Sequence, residues 1–340
     1  MKDYILCCDW GTSAFRLRLV HVTEQRIVEE VVSQDGTAGI FDAWKIKVID
    51  SPIGREDFFL QHLKKQIDAL RRQVNIPLEN MPVIISGMAS SSIGMKELPY
   101  APIPFAVDGS QAGIHYTEPQ SDFPHEVVLI SGVKSKQDVM RGEETQLIGL
   151  INLLELSGYK IIKAIFIFPG THSKHIQVYD QKIIEFQTFM TGEVFNLMAK
   201  QSILKDSVCS DGSSDLTNTD LEGFRLGIKE SGSSNILHGL FTVRTNHLLD
   251  VLNKQQNFYY LSGLLIGTEL RTLLPAENKQ LILCSGSNLF ELYKIAIEEL
   301  GLQSYTITVP PEIIDKATVF GQIKIFQNQK SLLSEFKNER

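Results

Sequence analysis

Apolar and polar positions divide the chain into short strands, helices and turns of small residues. Tyr4-Ile5-Leu6-Cys7-Cys8 is a continuous apolar run, and Phe15-Arg16-Leu17-Arg18-Leu19-Val20 alternates with the period of two expected of a strand. Asp9-Trp10-Gly11-Thr12-Ser13 lies between them, so the pair reads as a hairpin closed by a Gly-Thr-Ser turn. From Asp57 to Val74, Phe58, Phe59, Leu63, Ile67 and Leu70 fall roughly on one helical face and Lys64, Lys65, Arg71 and Arg72 elsewhere, the pattern of a helix that covers a sheet. Pro82-Val83-Ile84-Ile85-Ser86 is a strand that runs into Gly87-Met88-Ala89-Ser90-Ser91-Ser92, where small residues let the backbone approach a ligand. Pro99, Pro102 and Pro104 make the next stretch irregular.

A strand at Val127–Ile130 precedes Met140-Arg141-Gly142-Glu143-Glu144-Thr145, which opens an apolar helix ending near Leu156. Ile161 to Phe168 is apolar apart from Lys163 and turns through Pro169-Gly170-Thr171-His172-Ser173 into Ile176–Tyr179, a second hairpin with a second Gly-Thr. Between Asp206 and Asn235, Ser, Asp, Gly and Asn surround a short helical pattern, which predicts an exposed loop or cap. Leu261 to Leu274 returns to helix despite Gly263 and Gly267. Leu281-Ile282-Leu283-Cys284 is a strand ending in Ser285-Gly286-Ser287-Asn288, followed by a helix from Leu289 to Leu300. Strand, Gly-Thr hairpin and later strand with a Ser-Gly loop thus occur twice. Such a long repeat predicts two related α/β domains, 1–157 and 158–340, around a cleft, rather than a solenoid.

Composition narrows the function. With 43% apolar and 21% charged residues in 340, the chain has enough hydrophobic content for a substantial core. Its 33 Lys and Arg against 40 Asp and Glu leave a formal charge of −7, which argues against nucleic acid as a partner, because that affinity rests on clustered cations. No apolar run approaches the roughly 18–20 residues of a membrane helix, and a cytoplasmic protein is expected. Cys7, Cys8, Cys209 and Cys284 lack metal-ligand spacing and read as reduced thiols on core strands. Nothing in the chain fixes its oligomeric state, and a homodimer is compatible with it.

Gly-Thr turns suit phosphate chemistry, since glycine lets main-chain N–H groups approach an anion while hydroxyls add short donors. Gly11, Thr12 and Ser13 in one half and Gly170 and Thr171 in the other could clasp one polyphosphate, with Ser285, Gly286 and Ser287 as a third loop. The chain has neither a Gly-x-x-x-x-Gly-Lys-Ser/Thr loop nor a Gly-x-Gly-x-x-Gly after a strand. Asp9 ends an apolar strand, where a carboxylate either holds Mg²⁺ or caps its own turn. The second half has Phe168 at that position, so one asymmetric metal site is expected. Glu143 and Glu144 either compensate a helix dipole or supply a base for a sugar hydroxyl, with Arg141 balancing anionic charge. Arg16 faces solvent or substrate, and Ser86, Gly87 and Met88 begin either a surface loop or a polyol-binding loop. His172 and His175 do not have zinc-site spacing on one helical face.

Four segments resemble the 2-dehydro-3-deoxygalactonokinases, sugar-acid kinases of the actin/hexokinase/Hsp70 fold class. They are Asp9-Trp10-Gly11-Thr12-Ser13 with Arg16, Ser86-Gly87-Met88 with Gly94, Val139-Met140-Arg141-Gly142-Glu143-Glu144-Thr145-Gln146, and Phe168-Pro169-Gly170-Thr171-His172-Ser173-Lys174. Phe189-Met190-Thr191-Gly192-Glu193, Leu261–Gly267 and Ser285-Gly286-Ser287 add to them. The resemblance implies two ribonuclease-H-like domains around a nucleotide cleft and transfer of the ATP γ-phosphate to the 6-hydroxyl of 2-dehydro-3-deoxy-D-galactonate, a step of galactonate breakdown. It implies Asp9–Ser13 as phosphate-1 loop with Asp9 toward Mg²⁺, Gly170-Thr171 as phosphate-2, Ser285–Ser287 as adenosine loop, and an acid at Glu143 or Glu144 as base. Arg16, Ser86, Gly87, Met88 and Arg141 are the expected sugar-acid residues. The chain has Gly94-Met95 where the family pattern has Gly-Trp. The alternatives are a kinase for another 2-keto sugar acid, a phosphatase, or a non-catalytic sugar or nucleotide sensor on the same fold.

Overall fold

The first apolar run forms β1 (Tyr4–Trp10), covered on both faces, and Gly11–Ala14 turns it into the antiparallel β2 (Phe15–His21), which pairs in turn with β3 (Arg26–Ser33). A computed structural model describes residues 3–210, 212, 216–233, 235–276 and 279–338, with side chains to residue 329. Two helices follow, α1 (Thr37–Asp50) and α2 (Arg55–Arg71). In α2 the buried Phe59, Leu63, Ile67 and Leu70 recur at helical spacing, while Glu56 and Asp57 in the first turn and Arg71 in the last oppose the helix dipole. β4 (Val83–Gly87) lies parallel to β1.

The proline-interrupted stretch yields β5 (Ala101–Pro102) and β6 (Phe105–Ala106), then β7 (Ile114–Thr117), β8 (Val127–Ile130), β9 (Val133–Lys134), β10 (Val139–Met140) and α3 (Glu143–Leu156). The main sheet runs β3-β2-β1-β4-β8-β7, with β8 parallel to β4. Trp10, Phe15, Phe59, Leu63 and Ile85 are among the residues of its core.

The second half repeats this order. Its elements are β11 (Lys163–Phe168), β12 (Ser173–Tyr179), β13 (Lys182–Phe189), α4 (Thr191–Gln201), α5 (Asn218–Glu230), α6 (Ile236–Leu248), α7 (Lys254–Leu270), β14 (Leu281–Leu283), α8 (Ser287–Glu299) and β15 (Thr306–Thr308). The strand order β13-β12-β11-β14-β15 matches β3-β2-β1-β4-β8, and β14 is parallel to both β11 and β15. Three strands in hairpin order followed by two parallel ones, found twice, is the repeated α/β arrangement that the sequence predicts and the ribonuclease-H-like one that the resemblance implies. Phe224, Tyr293, Leu281 and Leu283 are in the second core.

The chain forms two units, 1–162 with 179–185 and 313–340, and 163–178 with 186–312. The division expected after residue 157 therefore falls after Ile162, and the last helix, α9 (Pro311–Asn338), belongs almost wholly to the first unit rather than the second. The reason is packing against the first sheet and α3. Gln322 of α9 donates to Cys8 O at 2.7 Å and Ser86 Oγ at 2.8 Å, and the Asp315 carbonyl accepts from Arg18 Nη1 at 2.8 Å.

The exposed loop or cap expected between Asp206 and Asn235 around a short helix does hold a helix, but one packed into the core rather than exposed; residues 211, 213–215 and 234 lie outside the described residues. Thr217 and Asp220 form a capping box for α5, which buries Phe224 and Ile228 and packs closely on α7. Cys7, Cys8 and Cys284 are buried thiols, whereas Cys209 is exposed and lies outside any strand. No helix of the described residues is long and apolar enough to cross a membrane.

Candidate active site

In the first unit the ends of β1 and β4 and the start of α3 converge on an open cavity of about 230 Å³. Asp9, Gly11, Arg16, Gly87, Met88, Arg141, Gly142 and Glu143 line it, together with Gln146 and the start of α9 at Ile314, Asp315 and Thr318. Backbone geometry explains the convergence. Gly87 has φ +90°, and a Cβ there would lie 2.8 Å from the Trp10 carbonyl oxygen and 3.4 Å from Asp9 Oδ1. Gly142 has φ +114°, and its Cβ position is 3.4 Å from Gly87 Cα. Only glycine adopts such conformations without strain, so two sharp turns stand backbone to backbone beside the Asp9 carboxylate.

The carboxylates of this unit have different roles. Burial pushes the Asp9 carboxyl above its ordinary range, Arg16 and Arg18 pull it back, and Glu143 adds to the upward shift. Among the described residues no donor lies within hydrogen-bonding distance of Asp9, so it is available to a cation. Mg²⁺ needs few protein carboxylates, because it keeps waters and takes phosphate oxygens; one half-buried Asp beside a phosphate-type turn fits it. No group of three or more His, Cys, Asp or Glu among the described residues has a metal-holding arrangement.

Glu143 Oε2 accepts from the Arg141 amide at 3.0 Å while the residue lines the cavity. Glu144 is buried at 2% exposure and does not line the cavity. Both of its oxygens accept from the Gly142 amide, at 3.0 and 2.8 Å, and Oε1 accepts from the Thr145 hydroxyl at 2.9 Å. Burial and the Glu143 charge push its pKa up to about 7 despite these bonds.

Arg141 is held in a neutral cradle. Its guanidinium stacks 4.2 Å from the Tyr100 ring centroid, Nη1 donates to the Ser90 carbonyl at 2.6 Å and to the Ser90 hydroxyl, and Nη2 reaches the Leu98 carbonyl at 3.3 Å. Nε is buried with no partner. Carbonyls and a ring orient the cation without cancelling its charge, so it remains able to attract an anion. Arg16 is cross-strand from Asp9 and lines the same cavity.

The second unit holds a larger cavity of about 490 Å³. Pro169, Gly170 and Thr171 form one edge, Thr191, Gly192, Phe195 and Asn196 of α4 another, and Phe258, Tyr259 and Ser262 of α7 with Asn288, Leu289 and Tyr293 of α8 complete it. A Cβ at Gly192 would lie 2.7 Å from the Gly170 carbonyl oxygen, so the helix start rests directly on the Gly-Thr turn. Its largely apolar walls with a few amide and hydroxyl groups suit a nucleoside, and the turn beside them suits phosphates.

The other expected residues are placed as follows. Thr12 and Ser13 are exposed on a turn whose Gly11 and Thr12 carbonyls accept from the Thr37 and Ala38 amides at the start of α1. Ser86 is wholly buried, its hydroxyl accepts from Gln322, and it does not line the cavity, so it stands behind the Gly87–Met88 turn and not where a direct sugar contact was expected. Ser285 is also buried, its hydroxyl donating to the Gly286 carbonyl, while Ser287 is exposed at the start of α8. His172 and His175 meet Glu193 and Glu269, respectively. Sequence reasoning missed the α9 residues, which lie far along the chain, and missed Asn196 and Phe258; Gln146 lies in a segment that carried the resemblance, and Asn288 ends the Ser285–Asn288 loop. Thr191-Gly192 and Ser262 lay in segments that carried the resemblance, the one signal that could have found them.

Comparisons with known proteins point to one family. The family model described as 2-keto-3-deoxy-galactonokinase matches residues 9–322. The chain is 32% identical over 232 residues to the 2-dehydro-3-deoxygalactonokinase of Escherichia coli K12, covering 66% of this chain and 72% of that one. It is 29% identical over 307 residues to a Rhizobium meliloti protein named "Probable 2-dehydro-3-deoxygalactonokinase", covering 88% and 90%. A crystal structure from Sinorhizobium meliloti described as a "putative 2-dehydro-3-deoxygalactonokinase" superposes with TM-score 0.76 at 27% identity, covering 95% of this chain and 96% of that one.

Proposed function

Because the chain belongs to the 2-keto-3-deoxy-galactonokinase family, we propose that it moves the γ-phosphoryl group of ATP to the 6-hydroxyl of 2-dehydro-3-deoxy-D-galactonate, with Glu143 taking the hydroxyl proton. The observation that carries this reading is the first unit's cavity, where one carboxylate at a helix start faces the same space as Asp9, Arg16 and Arg141. Glu144, engaged at both oxygens and buried, holds the Gly142 turn and is not the base.

Arg16 and Arg141 supply positive charge for an anionic sugar, and the fixed fork of Arg141 orients a carboxylate or a transferring phosphoryl oxygen. The Gly87–Met88 backbone approaches the sugar closely. Asp9 would hold Mg²⁺, directly or through water, and the ion when bound neutralises charge on the phosphates. Gly11–Ser13 is the phosphate-type turn of the first unit and Gly170-Thr171 that of the second; the apolar cavity beside Gly170-Thr171 takes the nucleoside, and the Ser285–Ser287 loop leads to Asn288 on its wall. Positioning and electrostatics provide most of the rate in such transfers. Dependence on ATP fits a cytoplasmic location and a place in galactonate catabolism.

The test is ADP formation by the purified protein with Mg²⁺-ATP and, in separate reactions, 2-dehydro-3-deoxy-D-galactonate, its gluconate epimer, or no sugar. Turnover with the galactonate compound alone is expected. Equal ADP release without sugar would make the protein a phosphatase, and nucleotide binding without turnover would make it a sensor.

A further inference from the structure

Glu269, near the end of α7, is a buried carboxylate that none of the steps above uses. Its Oε1 accepts from the Ser173 hydroxyl at 2.7 Å and from His175 Nε2 at 3.0 Å. Its Oε2 accepts from the Tyr293 hydroxyl at 2.7 Å and from the Thr191 hydroxyl. A carboxylate has about four acceptor positions and no hydrogen of its own, so four donors fill it. They come from β12, the first residue of α4 and the middle of α8.

Where these donors sit separates Glu269 from an ordinary core acid. Thr191 and Tyr293 are walls of the 490 Å³ cavity. Ser173 closes the Gly170-Thr171 turn, its hydroxyl lying 3.2 Å from the Phe168 carbonyl oxygen where that turn begins. Glu193, two residues after Thr191, donates its amide to the Thr171 carbonyl at 3.0 Å, so helix start and turn are one assembly. By contrast, the buried Asp220 spends its carboxylate on Thr217, within its own helix cap. A buried charge is costly to desolvate, and apolar residues of similar volume usually fill a core as well.

We propose that Glu269 is a positioning residue for the nucleotide: its carboxylate fixes the Pro169–Ser173 turn, the start of α4 and Tyr293 as one wall shaped to receive the nucleoside and phosphates of ATP. This rests on the second unit's cavity being the nucleotide site. Hydrogen bonds from His175, Thr191 and Ser173 outweigh the upward push of burial and keep the carboxyl below its ordinary range, so it stays ionised at neutral pH. Glutamine has the same shape but only one accepting oxygen, and its amide hydrogens would face two of the four donors.

The test compares Glu269→Gln with the wild-type chain by steady-state kinetics in ATP and in sugar acid, and by calorimetric titration with ADP. The expected result is a rise of about tenfold or more in both KM for ATP and Kd for ADP, with KM for the sugar acid changed less than twofold. Thr191→Val is expected to weaken ADP in the same direction, and Thr191→Ser to recover most of that loss, which a purely structural role would not produce. Gly170→Val, in the cavity wall, is the control for the site itself. If Gly170→Val weakens ADP and Glu269→Gln does not, the proposal is overturned and the nucleotide site stands. If neither weakens ADP, the siting of the nucleotide falls and the proposal with it. Should Glu269→Gln not fold, Thr191→Val and Tyr293→Phe decide, and unchanged ADP affinity in both overturns it.

Discussion

Adjacent residues on a helix point about 100° apart, and that rotation puts Glu143 on the cavity wall and Glu144 in the interior. Glu143→Gln should lower kcat roughly 10²- to 10⁴-fold with little change in KM for ATP, as expected for loss of a general base; steady-state kinetics checks this. Glu144→Gln should instead change the pH dependence of stability. With a folded pKa of about 7 against an ordinary 4.5, the folded state binds the extra proton between those values, so this group's stabilisation is complete below about pH 4.5 and lost as pH rises through 7. The interval corresponds to roughly 3 kcal/mol at most. Urea unfolding at pH 5 and 8 should show wild-type stability falling more steeply than that of Glu144→Gln. Arg141→Lys should raise KM for the sugar acid about tenfold, because an ammonium ion cannot use the flat cradle of Tyr100 and two backbone carbonyls as a guanidinium does. The sequence placed both acids at a helix start but not their different surroundings, which depend on the φ of Gly142 and on its amide pointing at Glu144.

Glycines inside helices marked the least legible elements. Gly263 and Gly267 read as tolerated interruptions of a helix, yet they are where α5 and α7 touch. A Cβ at Gly263 would lie 2.0 Å from the Phe224 carbonyl oxygen, and one at Gly227 would lie 2.1 Å from that of Tyr260. The first unit has the same device, with Gly149 of α3 against the Ala317 carbonyl oxygen of α9 and Gly321 against that of Thr145, each at 1.8 Å from the added Cβ. Backbone cannot yield as a side-chain tip can, so Gly149→Ala and Gly263→Ala should each destabilise by about 1–3 kcal/mol or more. Gly39→Ala in α1, where nothing lies within 4 Å, should stabilise by about 0.5–1 kcal/mol through reduced unfolded-state entropy. Chemical denaturation of the three variants checks both signs. Periodicity shows which residues are apolar, but not that two helices approach so closely that only hydrogen fits between them. For the same reason the polar segment around α5 read as an exposed loop or cap with a short helix, although buried Phe224 makes that helix part of the second core.

At the scale of the whole chain, one topology occurs twice with different chemistry. The strands β1, β4, β11 and β14 were legible as short apolar runs leading into turns of small residues, whereas the parallel pairing of β1 with β4 and of β11 with β14 was not read. The return of α9 to the first unit was not, since it depends on Gln322 finding Cys8 and Ser86 more than 200 residues away. The duplicated frame carries a carboxylate at Asp9 and a buried phenyl ring at Phe168, and the larger, largely apolar cavity belongs to the second unit. Division of labour then predicts two separable defects. Asp9→Asn should lower kcat roughly 100-fold or more and raise the Mg²⁺ concentration needed for half-maximal rate, yet leave ADP affinity measured in excess EDTA unchanged. Gly170→Val should weaken ADP with or without metal and leave the Mg²⁺ requirement of the residual activity in place. Magnesium titrations of turnover and calorimetric ADP titrations on both variants distinguish the cases. An Asp9→Asn enzyme with wild-type Mg²⁺ dependence would remove the cation from the first unit, and the asymmetry between Asp9 and Phe168 would then have no part in the reaction.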